Sequence, residues 1–203
     1  MQQQENPTNS LMTEDGALVA ELQEREIEIE AIKQKAQDLI AGLNDRQFNW
    51  QPDAGVWSIA ECLTHLNVTN NQYLPVIKNA IERGRASGLY GRAPFHHGFL
   101  GNWFVRLMEP PPKRKFKAPK VFTPPRGETL ESVTPEFMRI QNEISTCIRR
   151  ANGSHLAKIK IASPASKLLR LSLGQSFALL GAHERRHLWQ AQQVKNHPSF
   201  PAT

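Results

Sequence analysis

Apolar residues recur along this chain in steps of four and three over four long windows. Between Glu14 and Leu43 the positions Leu18, Leu22, Arg25, Ile29, Ile32, Ala36, Leu39 and Leu43 form one stripe, broken only at Arg25. Charged residues fill the opposite face, so the window predicts an amphipathic helix whose stripe needs partners to cover it. A second helix is announced by Ser58 and Glu61, a capping box, with Trp57 placed to staple onto Cys62. Its stripe runs through Ile59, Leu63, Leu66, Tyr73, Ile77 and Ile81 to about Arg83, and Pro75 is expected to bend or break it. A third helix is predicted from about Thr134 to Ala151, with Pro135 at a first helical position and Asn152-Gly153 ending it. A fourth starts at the capping box Ser172/Gln175 and runs to about Asn196, with Ser176, Leu180, His183, His187, Gln190 and Val194 on its seam.

The intervening segments are irregular. Residues 44–57 read as a turn-rich connection. Residues 84–131 hold a short apolar piece, Phe95 to Met108, that suits a helix; the prolines 110–112 then stop it. A connection this long joins distant ends of elements or covers a site. Residues 154–171 alternate weakly around Pro164 and read as extended connection rather than packed sheet. The expected fold is therefore all-α: a four-helix bundle with a long irregular crossover between helices two and three. One domain over 14–197 is expected, with a flexible segment 1–13 and a tail 198–203.

Composition adds limits. The chain has 203 residues, enough for one domain with a sizeable core, and 39% apolar and 22% charged residues are ordinary for a globular protein. No window approaches the ~18 apolar residues of a membrane span. The start lacks the basic and apolar regions of a secretory signal, so cytoplasm is the expected location and no membrane partner is expected. Cys62 and Cys147 are far apart, form no C-x-x-C pair, and read as small buried residues without a disulfide. The net charge is +6, with Lys113, Arg114, Lys115, Lys117 and Lys120 crowding one proline-rich stretch. Such a run can touch phosphates, but a solvated loop is the preferred reading, and nucleic-acid binding is not expected.

The chemistry lies in His183-Glu184-Arg185-Arg186-His187. Two imidazoles four residues apart on a helix share a face and make half of a divalent metal site. The bland alternative is a pair of polar residues on a solvated face. Both histidines occupy seam positions, however, and two core imidazoles without a partner are costly to bury. The string also matches the H-E-x-x-H of zinc peptidases, whose Glu is the general base. That reading fails its own demands. No Asp or Glu follows Glu184, and Gln190 and Gln193 stand where an extended motif needs Gly and His. A third ligand is expected upstream. Of the other histidines, His65 sits in a strong helix flanking the core stripe; His96 and His97 read as loop residues, His155 as exposed, and His197 as a poor candidate.

Two motifs together resemble the DinB/YfiT-like superfamily. Residues Trp57-Ser58-Ile59-Ala60-Glu61-Cys62-Leu63-Thr64-His65-Leu66 resemble its W-S-x-x-E-x-x-x-H-L signature, and His183 to Gln190 resemble its second, on the last helix. The resemblance covers about residues 15–196. It implies a four-helix bundle, often a homodimer, with a divalent metal, zinc or nickel first, held by His65, His183 and His187. Characterised members include bacillithiol-dependent transferases, mycothiol-dependent isomerases and domains of thiol-histidine biosynthesis. The implied function is a metal-dependent S-transferase or hydrolase acting on a small molecule, with a low-molecular-weight thiol as co-substrate. The alternative is a non-catalytic bundle binding a ligand or partner, its metal structural or vestigial. Glu184 is a tentative catalytic residue, weighed against a structural ion pair. Glu61 is weighed as an acceptor for the His65 imidazole against its capping role.

Overall fold

Where an apolar stripe meets a good cap, a helix forms. In the computed structural model, which describes residues 17–112 and 118–202, six helices and one hairpin follow each other along the chain. Helix α1 spans Ala20–Ile40 and buries Leu22, Ile29, Ile32, Ala36 and Leu39, the predicted stripe. Arg25, the break in that stripe, stays at the helix edge in an ion pair with Glu28. The expected flexible segment 1–13 and the predicted helix start at Glu14 lie outside the described residues.

A single turn, α2 (Asp45–Phe48), interrupts the connection that follows, closed by a reciprocal cap between Asn44 and Gln47. Helix α3 (Ile59–Ala86) begins at Ser58, whose hydroxyl accepts from the Glu61 amide while the Glu61 carboxylate accepts from the Ser58 amide. Pro75 lies inside this helix without ending it. Pro75 and Asn71, whose carbonyl loses its helical donor, are both exposed, so water can serve the orphaned oxygen. Helix α4 (Phe99–Met108) fills the apolar piece of the crossover, and a 3-10 turn, Lys120–Phe122, follows it. Of the basic stretch, Lys113, Arg114, Lys115 and Lys117 lie outside the described residues; Lys120 is exposed at the start of that turn.

Helix α5 (Leu130–Arg150) starts a turn earlier than its proline suggested, because the Thr129 hydroxyl caps it by accepting from the Ser132 amide. Pro135 consequently sits in the second turn rather than at the first position. The expectation of a purely extended connection after α5 is corrected by an antiparallel hairpin, β1 (Lys160–Ser163) and β2 (Ser166–Ser172), pairing Ile161 with Leu171 and Lys160 with Ser172. Pro164 falls in the turn between the strands, where its missing N–H costs the ladder nothing. Ile161 and Leu171 turn into the core. Helix α6 (Leu173–Lys195) follows at once, capped by Ser172 and Gln175 as predicted.

The long helices share one core. Both α1 and α3 pack against α5 and α6, α4 lies on α6, and the hairpin closes one end against α3. The protein is thus mostly helical with a small two-stranded sheet. Cys62 and Cys147 are free and buried. Among the described residues no helix is long and apolar enough to cross a membrane.

Candidate metal centre

The first two turns of α3 and the middle of α6 lie side by side, and this brings together histidines 118 residues apart in sequence. His65, His183 and His187 each offer one ring nitrogen, and these nitrogens all lie within 4.8 Å of one another. His65 and His187 are buried and His183 is half-buried. The imidazole centroids are 4.5 Å apart for His65 and His187, 4.7 Å for His183 and His187, and 5.1 Å for His65 and His183. Among the described residues no other group of three metal-ligating side chains converges in this way.

Two of the rings have their outer nitrogen engaged. Nδ1 of His65 lies 2.7 Å from the carbonyl oxygen of Phe122, which can only accept, so the proton sits on Nδ1 and Nε2 presents a lone pair. Nδ1 of His187 lies 3.1 Å from Oε1 of Gln190, one turn on, which orients that ring in the same sense. Burial makes protonation costly throughout. It lowers His65, against a smaller opposing effect of the Phe122 carbonyl. His183 falls to about 3, through burial first and then the neighbouring His65 and Arg186. His187 is driven well below the usual imidazole range by burial, His183, His65 and Arg186. Three neutral imidazoles whose inner nitrogens converge are a donor set suited to a zinc-type centre. The residues fit a divalent cation.

Trp57 completes the wall. Its ring lies 4.8 Å from that of His65 and stacks on His187 at 5.6 Å, so the residue expected to staple the helix start also shields the imidazoles from water. The 3-10 turn of the long crossover reaches the centre through Phe122, whose side chain is buried and whose carbonyl orients His65. No periodicity marks Phe122 as functional; it acts through its backbone. Gln190, on the predicted seam three residues past His187, was legible in principle.

Two expected roles shift. Glu61 does not accept from His65. Its carboxylate is taken by the Ser58 amide, the Gln51 side-chain amide at 2.5 Å and Arg126 at 3.2 Å. Glu184, the tentative catalytic residue, is not brought to the three imidazoles. It stands about 100° around the helix from His183, and its fully buried Oε1 accepts from Asn70 of α3 and Gln141 of α5, both at 2.6 Å. It forms no ion pair there either; burial raises its carboxyl to about 7 against the pull of these amides and Arg185. The other histidines also lie elsewhere. His97, expected on a surface loop, bridges Glu21 of α1 and Ser172 at the cap of α6, at 2.9 and 2.8 Å. His155 packs on Phe95, and His197 on Trp50.

Fold and site together define a predominantly helical protein with a candidate metal-binding group of three histidines. The chain belongs to the DinB superfamily, whose family model matches residues 28–191. No curated protein and no solved structure matches it.

Proposed function

We propose that this chain is a divalent-metal-dependent enzyme, a thiol-dependent S-transferase or a hydrolase, with His65, His183 and His187 as the metal ligands and zinc or nickel as the metal. The observation that supports it most is the convergence of three neutral imidazoles from two helices, with outer nitrogens held by Phe122 and Gln190. A bound divalent cation of this type lowers the pKa of a thiol or a water at its open position. The chain's own residues suit a thiolate there. The Arg186 guanidinium, whose charge disfavours protonation of His183 and His187, favours an anion in the same place. Trp57 limits access of water and offers an apolar surface to the substrate. The four long helices are read as the four-helix bundle of the family, working in the cytoplasm as a homodimer on a small-molecule electrophile.

The reading is tested in two stages. Elemental analysis of the purified protein is expected to find about one divalent ion per chain, retained by wild type and lost in His65→Ala and His187→Ala. The metal-loaded protein is then offered bacillithiol or another low-molecular-weight thiol with an electrophile. Metal without turnover would favour a non-catalytic bundle with a structural metal. Absence of metal, with no uptake of zinc or nickel, would remove the proposal altogether.

A further inference from the structure

Helix α4 is apolar on more than the face it buries. Of its ten residues only Asn102 and Arg106 carry hydrophilic side chains. Gly101, Phe104, Val105 and Met108 share its inner side; Gly101 is buried against Gln175 of α6, and the other three pack on the core. On the outer side Phe99 and Leu100 are each 78% exposed and Trp103 is 55% exposed. A helix that is apolar all round is normally covered all round. Here the described residues cover only half of it. The three outer side chains leave roughly 400 Å² of largely apolar surface in solvent, as much as the largest patch of an ordinary monomer. Strand β2 packs beside α4. Its alternation turns Leu169 and Leu171 towards the core and leaves Leu168, 96% exposed, and Arg170 on the outer face.

Two observations bear on what covers this face. The first is charge. Arg106 on α4, Arg170 on β2 and Lys160 on β1 are all exposed. No Asp or Glu occurs in residues 83–108 or 144–183, the stretches that hold α4 and the hairpin. Glu109, at the C-cap of α4, is engaged by Arg185. The second is shape. Side chains 78% exposed stand out from a helix rather than line a groove. A protein partner needs pockets matched to them, and an isologous contact between two copies would bring the same arginines together at a cost. A fluid bilayer interface needs no shaped pocket: it accepts protruding Phe, Leu and Trp, and its anionic lipids attract flanking arginines.

We infer that the outer face of α4 docks on an anionic lipid surface, with Phe99, Leu100 and Trp103 inserted at the boundary of headgroups and acyl chains and with Arg106 and Arg170 against lipid phosphates. The contact lies on the membrane surface and does not cross it, in keeping with the lack of a spanning helix among the described residues. It does not depend on metal at the three-histidine centre.

The test uses the full chain and co-sedimentation with vesicles of phosphatidylcholine, alone or with about a third phosphatidylglycerol. Sedimentation with the anionic vesicles is expected, weakened by salt and much weaker with phosphatidylcholine alone. Bromine-labelled acyl chains are expected to quench a share of the tryptophan fluorescence that is lost in Trp103→Phe. Phe99→Ser/Trp103→Ser changes only exposed side chains, so its circular dichroism should match wild type while vesicle binding falls about tenfold or more. Arg106→Glu/Arg170→Glu is expected to weaken binding by about tenfold as well. No sedimentation with anionic vesicles at low salt, or sedimentation undiminished in Phe99→Ser/Trp103→Ser, overturns the proposal. A dimer seen by analytical ultracentrifugation that the same double variant abolishes, without vesicle binding, assigns the face to a second copy and likewise overturns it.

Discussion

Nε2 of His65 lies 3.2 Å from Nε2 of His183, across the interface of α3 and α6. His65 already commits its Nδ1 proton to the Phe122 carbonyl, so its inner nitrogen can only accept. Without a cation, His183 must supply a proton to that contact. With a cation, both nitrogens would turn lone pairs to it. The same atoms thus have two ways of being satisfied, and a bound metal would select between them.

The outer hydrogen bonds are expected to matter for affinity. Gln190→Ala removes the acceptor on His187 Nδ1 without touching a ligand atom. Competition titration with a zinc chelator should show affinity lowered by about ten- to a hundredfold, with the helical circular dichroism unchanged. An unaltered affinity would mean that Gln190 does not orient the ring.

Glu184 is expected to act on stability first. Its Oε1 receives two buried amide donors, from Asn70 and Gln141. Glu184→Ala opens a cavity and orphans both amides, so urea unfolding should show a loss of about 3 kcal/mol or more. Glu184→Gln keeps the volume and should cost clearly less, with metal content at the wild-type level. Equal losses in both variants would show that the charge, rather than the packed acceptor, is what the Asn70 and Gln141 amides need.

Thiol chemistry should be suppressed in the folded chain. Burial pushes the Cys62 thiol far above its ordinary value of 9.0, with neighbouring Glu61 adding to the effect, and burial also raises Cys147. A group raised on folding contributes stability that is complete below its unfolded pKa and is lost as pH rises past it. The protein is therefore expected to unfold more easily as pH rises above about 9. At pH 8 a disulfide reagent should titrate two thiols in denaturant and react only slowly without it. Fast labelling of the native chain would place a cysteine within reach of solvent.

Helix α4 is expected to be intolerant at Gly101. A Cβ there would stand 2.4 Å from the side-chain amide of Gln175, the residue that closes the cap of α6 and donates to the Gly98 carbonyl at 2.6 Å. Gly101→Ala should cost about 1–3 kcal/mol by overpacking. Asn102, which accepts from the same Gln175 amide at the helix surface, should be replaceable by Ala at smaller cost. A Gly101→Ala melt indistinguishable from wild type would mean that α4 shifts freely on α6.

The sequence by itself determined the long helices and two of their starts. Stripes at helical spacing and reciprocal caps are local signals: each needs only residues within a turn or two, and Ser58/Glu61 and Ser172/Gln175 close in space as they do in sequence. The pair His183 and His187 was legible for the same reason, and His65 followed from its motif. The tertiary structure decided what depends on contacts distant in sequence. The hairpin at 160–172 was hidden because alternation over so short a stretch is weak and Pro164 looked like a strand breaker until it fell in the turn. The Phe122 carbonyl was invisible because a backbone oxygen carries no sequence signature. The direction of Glu184 was undecided because adjacent residues on a helix face different neighbours, and only the packing of α3 and α5 against α6 shows that His183 meets His65 while Glu184 meets two amides. Local periodicity specifies which face is buried; packing specifies what that face meets.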